Sequence, residues 1–202
     1  MKVLVGCEMY GRVRDAFRAR GHQAYSCDLE PDVTGSRYHL QMDVFKAIEL
    51  KKWDLAIFHP PCTFLANSGV QHLYKNGEKN KERWRNMREG SAFFKRLLEC
   101  SIPKFAVENP IQHCHARKLI GFQQDQVIQP WMFGHMEQKA TCLWLNNLPL
   151  LVPTNNVKAE MMKLPNNQRQ RLHFLGPSKD RAMLRSQTFL GIADAMAQQW
   201  ET

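Results

Sequence analysis

The segment Phe58-His59-Pro60-Pro61-Cys62 places a thiol directly behind two prolines at the end of a short apolar run. Each proline fixes its φ angle, so Cys62 sits on a stiff turn, and such a turn can hold sulfur at attacking distance from an electron-poor ring carbon. An ordinary turn cysteine fits the same position, because a reactive thiol depends on surroundings that a sequence does not display. Further along, Ala106-Val107-Glu108-Asn109-Pro110 repeats the arrangement with a carboxyl group. A carboxyl that is protonated, or shares a proton, can hydrogen-bond a ring nitrogen while a nucleophile adds to the ring. Taken alone, Glu108 reads as a solvated loop acid.

For thiol and carboxyl to meet, the strands carrying them must end on one rim of a sheet. Asp54 to Phe58 and Phe105 to Val107 are short apolar runs stopped by proline or polar residues, as buried strands are. Ahead of them, Lys2 to Val5 reads as a strand, Gly6 to Gly11 as a turn, and Val13, Ala16, Phe17 and Ala19 as one face of a helix closed by Gly21. A second strand over Gln23 to Cys27 ends in Asp28-Leu29-Glu30. This β-α-β-acid order is the skeleton of a nucleotide-binding half-sheet, where a ligand lies at the carboxyl ends of the strands. Gln71 to Arg88 reads as a mobile basic loop feeding a helix that carries Phe93, Phe94, Leu97 and Leu98. Candidate strands follow at Gln126 to Phe133 and Thr141 to Leu145, then an irregular stretch from Pro149 to Asn167. A final amphipathic helix over Phe189 to Trp200 carries Leu190, Ala193, Met196, Ala197 and Trp200 on one face.

The order acidic turn, Pro-Pro-Cys, Glu-Asn resembles the DNA methyltransferases that modify carbon 5 of cytosine. The resemblance implies an α/β, Rossmann-like S-adenosylmethionine-dependent methyltransferase fold in a single domain over residues 1–202. It implies a catalytic set of Cys62, which would add to carbon 6, and Glu108 with Asn109, the glutamate engaging nitrogen 3. Cofactor contacts would come from Gly6, Glu8, Tyr10 and Gly11 in the first turn, although Gly6-Cys7-Glu8-Met9-Tyr10-Gly11 departs from the glycine-rich turn usual in the family. Asp28 or Glu30 matches the acid that binds the ribose hydroxyls, Asp43 the acid beside adenine, and Pro60 and Gly191 complete the pocket. Asp43 reads equally as a helix cap, and Gly191 as a residue of helix capping. Lys139 falls on the basic strand near the target base, where the family's usual pair of arginines is missing.

Family members that read a DNA sequence insert a sizeable recognition region before the last motif. Here residues 146–186 form only a reduced substrate-contact region, with Lys158, Lys163, Arg169, Arg171, Lys179, Arg181 and Arg185 as phosphate contacts, as in compact phage-type members. Lys75, Arg83, Trp84 and Arg85 follow Cys62 where the family's closing loop lies, with Trp84 as a base-stacking candidate. A solvated basic face is the alternative. The net charge of +9 fits a nucleic-acid partner, DNA first; the reduced recognition region makes the same chemistry on single-stranded DNA, RNA or a free pyrimidine nucleotide the second reading. A nucleic-acid-binding protein that kept the fold and lost catalysis is the third reading. No run of about 18 apolar residues and no secretory signal is legible, so a cytoplasmic, membrane-free protein is expected, in the host cytoplasm if phage-encoded. The six scattered cysteines include no CxxC pair and read as free thiols, and His113-Cys114-His115 lacks a second ligand pair, so no metal is expected.

Overall fold

A computed structural model of the chain describes residues 1–178 and 181–201; Lys179 lies outside them. The chain opens with β1 (Lys2–Gly6), α1 (Arg12–Ala19), β2 (Gln23–Asp28), β3 (His39–Gln41), α2 (Val44–Leu50) and β4 (Leu55–Phe58). A 3-10 helix over Asn67–Leu73, a hairpin of β5 (Tyr74–Lys75) and β6 (Glu78–Lys79), and the long α3 (Lys81–Leu98) lead to β7 (Phe105–Pro110) and α4 (Cys114–Ile120). Then come β8 (Gln126–Ile128), β9 (Thr141–Asn146), four short helices, α5 (Lys158–Met162), α6 (Asn166–Arg169), α7 (Arg171–Phe174) and α8 (Arg181–Ser186), and finally α9 (Leu190–Gln199).

Seven strands form one sheet in the order β3-β2-β1-β4-β7-β9-β8. The first five are mutually parallel, and β9 runs against both β7 and β8. This is the Rossmann-like α/β class expected from the sequence. Strand order reverses at β1, whose neighbours β2 and β4 are reached by crossovers in opposite directions, and a crevice opens at the carboxyl ends there.

Central parallel strands are buried on both faces, which is why β1 reads as a continuous apolar run. Val3, Val5 and Ile57 pack with Val13 and Phe17 of α1 and with Ile192, Met196 and Trp200, all fully buried or nearly so. Leu4, Ala56, Phe58 and Val107 face the other way, into a second layer with Phe94 and Leu97 of α3, Ala116 of α4 and Trp144. The Trp200 indole donates to the Pro149 carbonyl at 3.0 Å, so its one polar atom is satisfied inside the core.

Several expectations change. The stretch expected as a loop from Gln71 to Arg88 is ordered: Asn80 caps α3, its side chain accepting from the Arg83 amide, and the helix starts twelve residues ahead of Phe93. Asn76 and Gly77 both take positive φ, which closes the two-residue turn between β5 and β6. The strand expected through Phe133 stops at Ile128, because Pro130 starts a 3-10 turn. Glu108 and Asn109 do not follow β7 but lie in it, paired with Leu143 and Cys142 of the reversed strand. In α9, Leu190 is 56% exposed, and Ile192 takes the inward position.

Candidate active site

The turn after β1 is built from the inside. Gly6 lies against the Phe58 ring, where an added Cβ would be 2.6 Å away, and its carbonyl accepts from the His59 amide at 2.9 Å. Cys7 adopts φ 58°, a left-handed conformation uncommon outside glycine. Glu8 then turns inward. Its buried carboxylate accepts from the amides of Val13 at 2.8 Å and Arg14 at 3.3 Å, so it occupies the N-terminus of α1. Gly11, at φ 68°, lets the guanidinium of Arg14 press on the backbone; a Cβ there would sit 2.0 Å from it. Arg14 is buried and donates to Ser26 Oγ at 2.8 Å and to Asp32 at 2.5 Å. Burial works against charge on Asp32, yet the Ser36 and Thr34 amides, the Thr34 hydroxyl and Arg14 hold its carboxyl well below the usual range. The loop after β2 is thereby fastened to the turn, where the Val33 amide also bonds the Met9 carbonyl at 3.0 Å.

Beside this turn stands the Pro-Pro-Cys segment. The Cys62 carbonyl accepts from the amides of Leu65 and Ala66, and Arg83 donates to the Thr63 carbonyl at 2.7 Å, which fixes the turn that presents the sulfur. From β7, the Asn109 amide donates to the Pro60 carbonyl at 3.0 Å. His59 Nδ1 lies 3.1 Å from Glu108 Oε2. Cys62 and Glu108 are thus close enough for their charges to act on one another, and His59, which contacts Glu108, and Pro61, which precedes Cys62, line a cleft of about 190 Å³ together with Cys7 to Tyr10, Asp28 and Thr188.

Burial pushes the Cys62 thiol up, and the charge of Glu108 adds to it, while Lys139 and Arg185 pull the other way. Burial also pushes Glu108 up, but His59, Lys139 and Thr141 together bring it below the ordinary carboxylate value. Glu8 is raised by burial, against the pull of His59 and of its two amide donors. Cys27 and Cys142 are forced up to about 12 and about 11, burial being the main cause in each, and stay inert thiols. All six cysteines are free.

Of the residues proposed from the sequence, Glu8, Tyr10 and Asp28 line the cleft, and Lys139 acts on both Cys62 and Glu108, its ammonium held by the Arg185 carbonyl at 2.7 Å. Pro61 lines it and Pro60 lies buried behind it. Glu30 is exposed and uses its amide on Asp28, so Asp28 is the acid the structure places at the cleft. Asp43 caps α2, accepting from the amides of Phe45 and Lys46, while its charge still reaches Cys7. Gly191 packs at the start of α9, its amide donating to His135 Nε2 at 2.9 Å and its Cα against the Phe133 carbonyl, outside the cleft lining. Lys75 and Arg85 are exposed on the hairpin and on α3. Trp84 is half-buried, its indole donating to the Leu73 carbonyl and its ring packed on Tyr74 and His115. His113 uses both ring nitrogens, Nδ1 accepting from the Ala116 amide and Nε2 facing the Phe64 carbonyl at 3.1 Å, as the cap of α4. Sequence reasoning passed over His59, although its place beside Pro60 was the available signal, and it passed over Arg14, which gave none. Among the described residues no helix is long and apolar enough to cross a membrane.

No protein-family model matches the chain, and no curated protein matches it. Among solved structures it resembles an Escherichia coli prophage protein described as a DNA modification methyltransferase, with a TM-score of 0.48 and 15% identity over 82% of this chain and 56% of that one. It also resembles a mutant of DNMT2 from Spodoptera frugiperda, with a TM-score of 0.39 and 15% identity over 77% of this chain and 54% of that one. The chain spans little more than half the length of either.

Proposed function

We propose that the chain transfers a methyl group from S-adenosylmethionine to carbon 5 of cytosine in DNA, with Cys62 as nucleophile and Glu108 as the acid at nitrogen 3. The observation that carries this reading is that the charges of Glu108 and Lys139 act on Cys62 while the Asn109 bond joins the strand that bears Glu108 to the turn that presents Cys62. A thiol and a carboxyl close to one another, beside a cleft that Pro61 and His59 line, suit attack on a ring carbon whose neighbouring nitrogen must take up charge.

The cleft also favours the cofactor. In a sheet of this kind a phosphate is ordinarily bound at the N-terminus of the first helix. Here Glu8 fills that place with the chain's own carboxylate, and Asp28 stands nearby. A cleft in which Glu8 occupies the phosphate's place and Asp28 stands at the edge fits a nucleoside carrying a positive charge and no phosphate. S-adenosylmethionine would supply an electrophilic methyl group there. Asp28 would take the ribose hydroxyls, and the turn from Cys7 to Tyr10 the remainder.

Cys62 adds to carbon 6 and Glu108 engages nitrogen 3, which makes carbon 5 nucleophilic. Once carbon 5 has taken the methyl group, loss of its proton restores the C5–C6 double bond and releases the sulfur. Exposed Lys75, Lys79, Arg85 and Arg88 lie on the segment whose Arg83 grips the turn beside Cys62, and they favour a polyanion over a free nucleotide. A base inside a duplex would have to flip out to reach the thiol.

An oligonucleotide carrying 5-fluorocytosine tests the reading, because fluorine at carbon 5 cannot leave as a proton. Incubated with cofactor, the protein should form a denaturation-resistant adduct that maps to Cys62. An adduct at another residue, or none, contradicts it.

A further inference from the structure

The imidazole of His59 is 9% exposed and is held from one side only. Its Nδ1 lies against Glu108 Oε2 at 3.1 Å, so Nδ1–H donates to the carboxylate. Its Nε2 is buried with no hydrogen-bond partner among the described residues, although the residue lines the cleft. A buried orphan nitrogen is unfavourable in a merely structural histidine, and His113, with both nitrogens engaged, shows the satisfied alternative.

Glu108 has a need that this ring can meet. Its carboxyl is held below the ordinary value, so near neutrality it is an acceptor only. Nitrogen 3 of cytosine also presents a lone pair, and two acceptors cannot bond without a proton between them. Lys139, whose charge also acts on Glu108, has its ammonium engaged by the Arg185 carbonyl.

We infer that His59 is a positioning residue that orients Glu108 and relays to it the proton taken up at nitrogen 3, an inference that rests on the roles proposed above for Cys62 and Glu108. As the Cys62 S–H bond breaks, its proton leaves to solvent and the C6–S bond forms; the electron pair displaced into the ring is captured as an N3–H bond. That proton comes from Glu108, which takes one from His59 Nδ1, while Nε2 accepts a proton from water in the cleft. After methyl transfer the carbon-5 proton leaves to solvent and its bonding pair re-forms the C5–C6 double bond; the C6–S bond breaks with its pair going to sulfur, which takes up a proton from solvent, and the nitrogen-3 proton returns along the same path. The groups facing His59 are Glu108 on β7, Glu8 on the turn after β1, and Lys139 through Glu108.

His59→Gln and His59→Asn keep an amide that can donate to Glu108 but cannot relay a proton. Single-turnover methyl transfer to a cytosine-containing duplex should fall by about 10²-fold or more. Dissociation constants for cofactor and DNA should stay within about twofold, and the alkaline limb of the rate profile should move toward acid, since Glu108 must then be protonated before the step. Wild-type rate with an unmoved limb, or a rate lost only in parallel with binding, overturns the inference alone. Absence of methyl transfer by the wild-type protein overturns the proposed function, and this inference with it.

Discussion

The side-chain amide of Asn109 reaches across from β7 to the carbonyl of Pro60, 3.0 Å away, and so bonds the strand that bears Glu108 to the turn that presents Cys62. Asn109 is 1% exposed. Truncation leaves a buried carbonyl unpaired, so Asn109→Ala should cost about 1–3 kcal/mol of stability. Because the same bond aligns thiol and carboxyl, the folded variant should also lose rate at saturating substrate. Denaturant unfolding and single-turnover kinetics on one preparation check both.

The thiol of Cys62 should report its neighbours directly. Burial raises it, Glu108 raises it further, and Lys139 lowers it. Alkylation by iodoacetamide followed against pH should therefore show a midpoint above that of a free cysteine. Glu108→Gln should move the midpoint down and Lys139→Met should move it up, and shifts of the opposite sign would refute the assigned contacts.

Glu8 links stability to pH in an unusual direction for a carboxylate. Burial sets its folded value above the unfolded one, which is about 4.3 for a free glutamate. The folded chain then holds a proton there that the unfolded chain gives up. The stabilisation is complete below the unfolded value and is lost as pH rises through the folded value. The stability of Glu8→Gln relative to wild type should accordingly be greater at pH 8 than at pH 4, as urea midpoints at the two pH values would show.

Gly191 was assigned from the sequence to the cofactor pocket, and its surroundings point to packing. A Cβ there would lie 2.0 Å from the Phe133 carbonyl and 3.1 Å from His135 Nε2. Backbone cannot give way cheaply, so Gly191→Ala should destabilise by about 1–3 kcal/mol, as overpacked positions do. Calorimetric titration of the folded variant should find cofactor affinity within about twofold of wild type.

What the sequence displays here is what local pattern can carry. Val3 to Val5 and Leu55 to Phe58 are apolar on both faces, Pro60 and Pro61 end a strand wherever they fall, and so the central strands and the Cys62 turn are legible. Lys81 to Arg88 is too polar to read as helix, and it is helical because Asn80 caps it and Met87, Ser91 and Phe94 seat it on the core. Residues His39 to Gln41 form a strand only because β2 offers them a partner. The contacts that define the site lie beyond any local pattern: His59 meets Glu108, and Asn109 meets Pro60, each across 49 residues. Glu8 lines the cleft as the resemblance implies, but its reach back to the amides of Val13 and Arg14 depends on a turn that only the folded chain specifies.

The most direct test is mass spectrometry of nucleosides from DNA incubated with the protein and S-adenosylmethionine carrying a deuterated methyl group. The account predicts 5-methylcytosine bearing the label with the wild-type chain and none with Cys62→Ser. Label on another base or on another atom of cytosine, no label with the wild type, or undiminished label with Cys62→Ser would contradict it.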